Sequence, residues 1–346
     1  MENYKNTEGV NQSTLKKILQ HPSEYLKAVE NQEGEDSEKE HFVLGKLVDL
    51  MMYDPKKIDK TFKITDLPSI SDIQKDICRT IIETMELEEV KFLDQDSPAN
   101  RKVVLESCKL HEYYNNRKDD TRIDGIFKDC TEYINILVMN KNKIIVGNEL
   151  NFKAINCKAA LLSDFRAKKY FSNEFEKDFS IDQSKDVQFF KHVIVQYEYR
   201  GLSLKGELDE VVINHKKRQI IPIDLKTLGH KIYQFKSNFW KFRYDFQAAT
   251  YMLGLENHPE IKQLLGLGYT LLNFRFIVVE SNTTNSPLIF EVSPEVLRAG
   301  IEGGTSKSGY EYEGLNQAID RFKYHTEKES WDYPMEYETE NIIIDL

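Results

Sequence analysis

The sequence is poor in cysteine, and its four thiols are far apart: Cys78, Cys108, Cys130 and Cys157 form no C-x-x-C pair. That spacing excludes a zinc ribbon, an iron–sulfur cluster and a disulfide framework, and leaves reduced, buried thiols as the expectation. Long apolar runs are missing too, since none approaches the roughly 20 residues of a membrane span. The opening Met1-Glu2-Asn3-Tyr4-Lys5 lacks the charged-then-apolar pattern of an export signal, so a cytoplasmic location is expected. Positive charge is short: 47 Lys and Arg stand against 57 Asp and Glu, a net charge of -10. Such a balance favours solubility and opposes non-specific attraction to nucleic acid. A nucleic-acid site would need a local basic groove, or metal ions to offset its carboxylates. Gly266-Leu267-Gly268 and Gly303-Gly304 lack the Lys-Ser/Thr ending of a phosphate loop, which argues against ATP-driven activity. His192 and His230 have no second ligand at helical metal spacing and are expected as satisfied or solvent-facing side chains.

What is present suits a soluble globular protein: 346 residues, 40% hydrophobic and 30% charged, enough for one large domain or two small ones. Two short helices are expected within 11–30, with Ser13 as an N-cap and Pro22 in a first turn, followed by an acidic loop from Asn31 to Asp36. A stronger helix runs from about Glu38 to Met52, with Gly45 and Asp49 four apart on one face. The middle reads as helices near Ile73–Leu87, Ala99–Asn116 and Ala159–Lys169, with strands near Tyr133–Val138 and Lys143–Val146. Strands follow at His192–Tyr199, Leu202–Ile213, Gln219–Lys226, Phe274–Glu280 and Leu288–Val292, with helices at Tyr244–Glu256, Pro294–Ile301 and Leu315–Thr326. The pattern is α/β: a mixed central sheet flanked by helices, with a helical N-terminal region. It divides into 1–60, 61–186 and 187–346, within one compact domain overall.

Two runs carry the chemistry: Gly206-Glu207-Leu208-Asp209 and Ile223-Asp224-Leu225-Lys226-Thr227, separated by the turn Asn214 to Arg218. Strand alternation points Asp224 and Lys226 one way and Ile223 and Leu225 the other. Charged groups placed in adjacent strands are costly unless offset. Asp209 and Asp224, with the Leu225 carbonyl, can hold one or two hard cations through oxygen. Lys226 can orient water or hold a phosphate oxygen; the alternative is an ordinary Asp224–Lys226 ion pair at a strand end. Gln247 and Tyr251 share a helix face downstream. The run from Lys231 to Arg243 mixes Lys236, Lys241 and Arg243 with aromatics, as a phosphate-holding and base-stacking segment would. A loop whose aromatics pack on the core is the other reading.

Taken in order, Gly45…Asp49, G-E-L-D, I-D-L-K-T and Gln247…Tyr251 resemble the RecB-type branch of the PD-(D/E)XK nuclease superfamily. The likeness is greatest to the RecE (exodeoxyribonuclease VIII) type of phage and prophage exonuclease. It extends from about residue 11 to 340 and includes Ser13-Thr14-Leu15-Lys16, His21-Pro22-Ser23-Glu24-Tyr25, Phe276–Glu280 and Trp331-Asp332-Tyr333-Pro334. The resemblance implies a restriction-endonuclease-like core in which Asp209 and Asp224 ligate Mg²⁺ or Mn²⁺ and Lys226 is catalytic. Gln247 and Tyr251 would contact DNA and support the site. Asp49 falls where relatives carry a metal-coordinating His, and is a competent oxygen ligand. Glu207 is a candidate auxiliary carboxylate. The implied activity is metal-dependent digestion of linear double-stranded DNA from 5′ ends, leaving single strands for a single-strand-annealing recombinase. The implied setting is a bacterial host cell, with a homo-oligomer possible. The rivals are a catalytically degenerate DNA-end-binding or recombinase-recruiting protein, and an endonuclease or RecB-like nuclease subunit.

Overall fold

The computed structural model describes residues 4, 6–30, 39–87, 93–172, 174–176, 178–305 and 311–337. The acidic segment Asn31 to Asp36 lies outside the described residues. Two compact units emerge, Met1–Tyr53 with Lys153–Leu346, and Asp54–Phe152. The first opens with strand β1 (Val10–Asn11), helix α1 (Pro22–Glu30) and helix α2 (Glu40–Tyr53). Helix α2 buries Val43, Leu44, Leu47, Val48 and Leu50.

The second unit contains the parallel pair β2 (Phe62–Ile64) and β3 (Ile144–Val146), and helices α3 (Asp72–Leu87), α4 (Pro98–Leu110) and α5 (Asp119–Met139). Ile77, Ile81, Val104, Cys108, Ile126, Cys130 and Ile134 form its core. The expected strand at Tyr133–Val138 is instead the last part of α5. Ile123, Ile126, Phe127, Cys130 and Ile134 recur at helical spacing, and that period overrides the local β-branched run. All four cysteines are free and buried.

The first unit resumes with helix α6 (Asn148–Ser163), most of which belongs to it. The boundaries between the two units lie at 53/54 and 152/153. The reason is packing: Ala154, Cys157 and Leu161 are fully buried, and Cys157 Sγ lies 4.0 Å from the Glu280 carbonyl. Next come β4 (Val187–Tyr199), β5 (Leu202–Asn214), β6 (Gln219–Leu228), α7 (Phe235–Lys241), α8 (Tyr244–Asn257) and α9 (Pro259–Gly266). Strands β7 (Thr270–Leu271), β8 (Arg275–Glu280) and β9 (Leu288–Glu291) and helices α10 (Pro294–Glu302) and α11 (Leu315–Lys328) follow. Among the described residues, no helix is long and apolar enough to cross a membrane.

Seven strands make one mixed sheet in the order β1-β5-β6-β8-β9, with β4 on β5 and β7 on β6. Strands β4 and β5 are joined by Arg200-Gly201, both at positive φ (50° and 74°), the geometry of a tight two-residue hairpin turn. Glycine meets that requirement without strain. On its other edge β5 changes partner: Leu204 and Lys205 pair with β1, and Glu210 to Asn214 pair with β6. Strand β6 pairs with β5 on one edge only as far as Ile223, and on its opposite edge with β8 from Ile223 to Leu228. The sheet is thus split at the two motif runs. The fold class expected from sequence is the one observed.

Gly206 has a packing role. A Cβ there would lie 2.7 Å from Tyr251 Cε1 on α8, whose ring is buried. Gly206→Ala is expected to destabilise the protein by about 1–3 kcal/mol through overpacking, measured by denaturant unfolding.

Candidate active site

The split between β5 and β6 is filled by side chains. Asp209 has no ladder partner on either edge, because β5–β6 pairing stops at Glu210 and β4–β5 pairing skips its position. Its Oδ2 accepts the backbone N–H of Leu225 at 2.7 Å, replacing the missing strand contact. Leu225 itself pairs with Ile277 of β8.

Asp224, 2% exposed, is held from two directions. Gln247 Nε2 of α8 donates to Oδ1 at 2.7 Å, and Lys226 Nζ stands 2.6 Å from Oδ2. The Lys226 ammonium lies over the Tyr244 and Phe276 rings at 5.2 and 5.8 Å. Thr227 lies on the opposite side, near Gly45 of α2.

Enclosure in protein, and then the charge of Asp224, raise Asp209 well above the ordinary carboxylate range. Burial raises Asp224 as well, although Lys226 and Gln247 pull the other way. Burial alone would lower Lys226, but Asp224 and Asp209 outweigh it and hold the ammonium above its ordinary value. The centre is therefore short of positive charge.

Several ionisable neighbours surround the pair. Asp49 on α2 acts on Asp209 through its charge. One turn along α2, Tyr53 donates to Glu210 Oε2 at 3.2 Å. Glu210 is fully buried, its Oε1 has no hydrogen-bond partner, and burial raises it well above the usual range. His192 stands between Asp49 Oδ2 (3.8 Å from Nε2) and Glu207 Oε1 (3.6 Å from Nδ1). Lys16 reaches in from the N-terminal helical turn and donates to the Phe242 carbonyl at 3.0 Å. Burial, followed by the Lys226 and Arg243 charges, lowers it to about 8.

The structure thus brings together Asp49, Glu207, Asp209, Asp224, Lys226 and Gln247. Tyr251 lines Gly206, and burial followed by the charges of Asp224 and Asp209 raises its phenol well above the ordinary value. In the basic and aromatic run the parts separate. Phe235 is core, whereas Lys236, Lys241, Tyr233, Trp240 and Phe242 are exposed. Arg243 is occupied internally: in a left-handed conformation at the start of α8, it grips buried Asp245 at 3.0 Å and donates to the Glu313 carbonyl. Sequence reasoning missed Lys16, Tyr53, Glu210 and Tyr244, and expected His192 only as a satisfied or solvent-facing side chain. Tyr53 had a signal in being four residues after Asp49, and Glu210 had one as an acid inside an apolar strand.

Residues 11–307 match a family described as a PDDEXK-like domain of unknown function (DUF3799). The chain belongs to that PDDEXK-like family. No curated protein matches it. Among solved structures, it is similar to one described as a "Putative exonuclease" from Eubacterium rectale. Identity is 15%, coverage is 85% of this chain and 93% of the other, and the TM-score is 0.35.

The donor set of this PDDEXK-like chain suits a hard cation. Among the described residues, no three or more His, Cys, Asp or Glu side chains converge into a ready cage. Magnesium does not need one, because it keeps several waters and binds through one or two carboxylates plus substrate phosphates. Two adjacent carboxylates, both raised chiefly by burial, meet that requirement.

Proposed function

We propose that this protein is a metal-dependent deoxyribonuclease that hydrolyses phosphodiester bonds at the split between β5 and β6. The observation that carries the reading is Asp209, Asp224 and Lys226 gathered where the strands part, in a chain of the PDDEXK-like family. Asp209 and Asp224 would hold Mg²⁺ or Mn²⁺, with the Leu225 carbonyl and Asp49 as further oxygen donors. The bound cation supplies charge to the phosphoryl oxygen and makes water a better nucleophile. Lys226, 22% exposed and tethered by Asp224, holds the scissile phosphate or orients the attacking water. Gln247 fixes the Asp224 carboxylate, and the Leu225 N–H fixes Asp209. The exposed Lys236, Lys241, Tyr233, Trp240 and Phe242 would carry the DNA beside the site.

The resemblance to RecE-type exonucleases extends the proposal to linear duplex ends, 5′-to-3′ polarity, a single-strand-annealing recombinase as partner and a homo-oligomer. Digestion of linear and closed-circular duplexes with Mg²⁺, Mn²⁺ or EDTA tests it. Metal-dependent loss of linear DNA alone is the expected result. Cutting of closed circles would replace the exonuclease with an endonuclease. DNA binding with no cleavage under either metal would replace it with a DNA-end-binding protein.

A further inference from the structure

His192 breaks the longest ladder of the sheet. Lys191 pairs with Glu210 and Val193 with Leu208, yet no bridge joins His192 to Asp209, the residue facing it. Its φ of 50° lies in the left-handed region, inside a strand of otherwise regular register. That conformation is disfavoured for a residue other than glycine, and strain of this kind persists where surrounding structure imposes it.

The consequence of the distortion is where the imidazole sits. Nε2 faces Asp49 Oδ2 of α2 at 3.8 Å and Nδ1 faces Glu207 Oε1 of β5 at 3.6 Å. Both separations exceed a hydrogen bond. The three side chains are 15–19% exposed, and the Tyr53 ring stands edge-on to the imidazole at 5.7 Å, 70° from parallel. Glu207 Oε2 has no hydrogen-bond partner. The β4–β5 register sets His192 opposite Asp209, so this group adjoins the carboxylate pair. A nitrogen donor among oxygens favours first-row transition ions over Mg²⁺.

We infer that His192 is a metal-ligating residue of this centre, binding through Nε2 beside Asp49, with Glu207 orienting the ring from Nδ1. The centre therefore prefers Mn²⁺ to Mg²⁺. The inference rests on the metal-dependent reading above and adds a ligand to it.

Pulsed electron paramagnetic resonance of the Mn²⁺-loaded full-length protein tests the ligand directly. A nitrogen coupling on the manganese signal that disappears in His192→Asn is expected; its absence in the wild type overturns the inference. Asn tolerates the left-handed backbone, and His192→Gly serves as a second variant that relieves it. By titration, Mn²⁺ affinity is expected to fall about 10-fold or more in both variants, with a much smaller change for Mg²⁺. Equal losses for the two metals, or no loss, would overturn the assignment. Asp209→Asn separates the two levels. If it binds Mn²⁺ as tightly as wild type, the metal centre proposed above is wrong. If it loses Mn²⁺ while His192→Asn does not, only the His192 ligand is wrong.

Discussion

Asp209→Asn is expected to abolish DNA hydrolysis and, at neutral pH without metal, to make the protein more stable. The two effects have one origin. Asp209 is raised well above its ordinary value by enclosure and by Asp224, so its ionised form is a cost to the folded chain. Asparagine removes the charge and keeps an oxygen for the Leu225 N–H. Lys226 still has Asp224 at 2.6 Å. A rise in melting temperature is the expected readout, at roughly 2–4 °C per kcal/mol for a chain of this order of size. Loss of a metal-holding carboxylate removes several kcal/mol of transition-state stabilisation, so cleavage should fall on the order of 10³-fold. Asp224→Ala is the contrast. It should lose cleavage equally but lower the melting temperature, because it leaves the buried Lys226 ammonium without its nearest counter-charge. If Asp209→Asn melts lower than wild type, the charge-deficit account is wrong.

The second large effect is the response of the metal-free protein to pH. Asp209 and Asp224 have folded values above the unfolded 3.8, and Glu210 lies above its own 4.5. In that situation the folded state binds more protons than the unfolded state. Stability from these groups is therefore greatest in acid and falls as pH rises through the window between unfolded and folded values. His215 and His258, both lowered by burial, slope the other way below their unfolded 6.5. The cluster's share is read as wild type minus Asp209→Asn, compared at about pH 5 and about pH 7.5, where the difference should widen as pH rises. Saturating metal should reverse the loss, adding about 2.7 kcal/mol at one hundred times the dissociation constant. A wild type and variant with parallel pH profiles would sink the argument.

Much of this was legible in the sequence because strand periodicity and turn chemistry are local. Alternation placed Asp224 and Lys226 on one face, and the structure has them 2.6 Å apart. The four-residue spacing that placed Gln247 and Tyr251 together proved right about a shared neighbourhood: Gln247 reaches Asp224 and Tyr251 reaches Gly206. Long-range relations were harder. Nothing near Lys16 signals a partner more than two hundred residues away at the Phe242 carbonyl. Arg243 read as a free cation, yet its counter-charge lies only two residues on, at Asp245. The misread strand at Tyr133–Val138 shows a short apolar run outvoted by the period of a longer helix. His192 was within reach of counting. The turn Arg200-Gly201 fixes every pair of β4 and β5, and stepping back from it sets His192 opposite Asp209.

That turn constrains how the gene can change. A substitution along β4 or β5 alters one side chain, but a codon deleted at Arg200-Gly201 leaves too few residues to close the turn and slips the register. Every side chain of one strand would then change faces relative to the other. His192 would no longer oppose Asp209, although the turn lies at the far end of the ladder. Shortening of this part of the chain should therefore be rarer among descendants than variation in its composition.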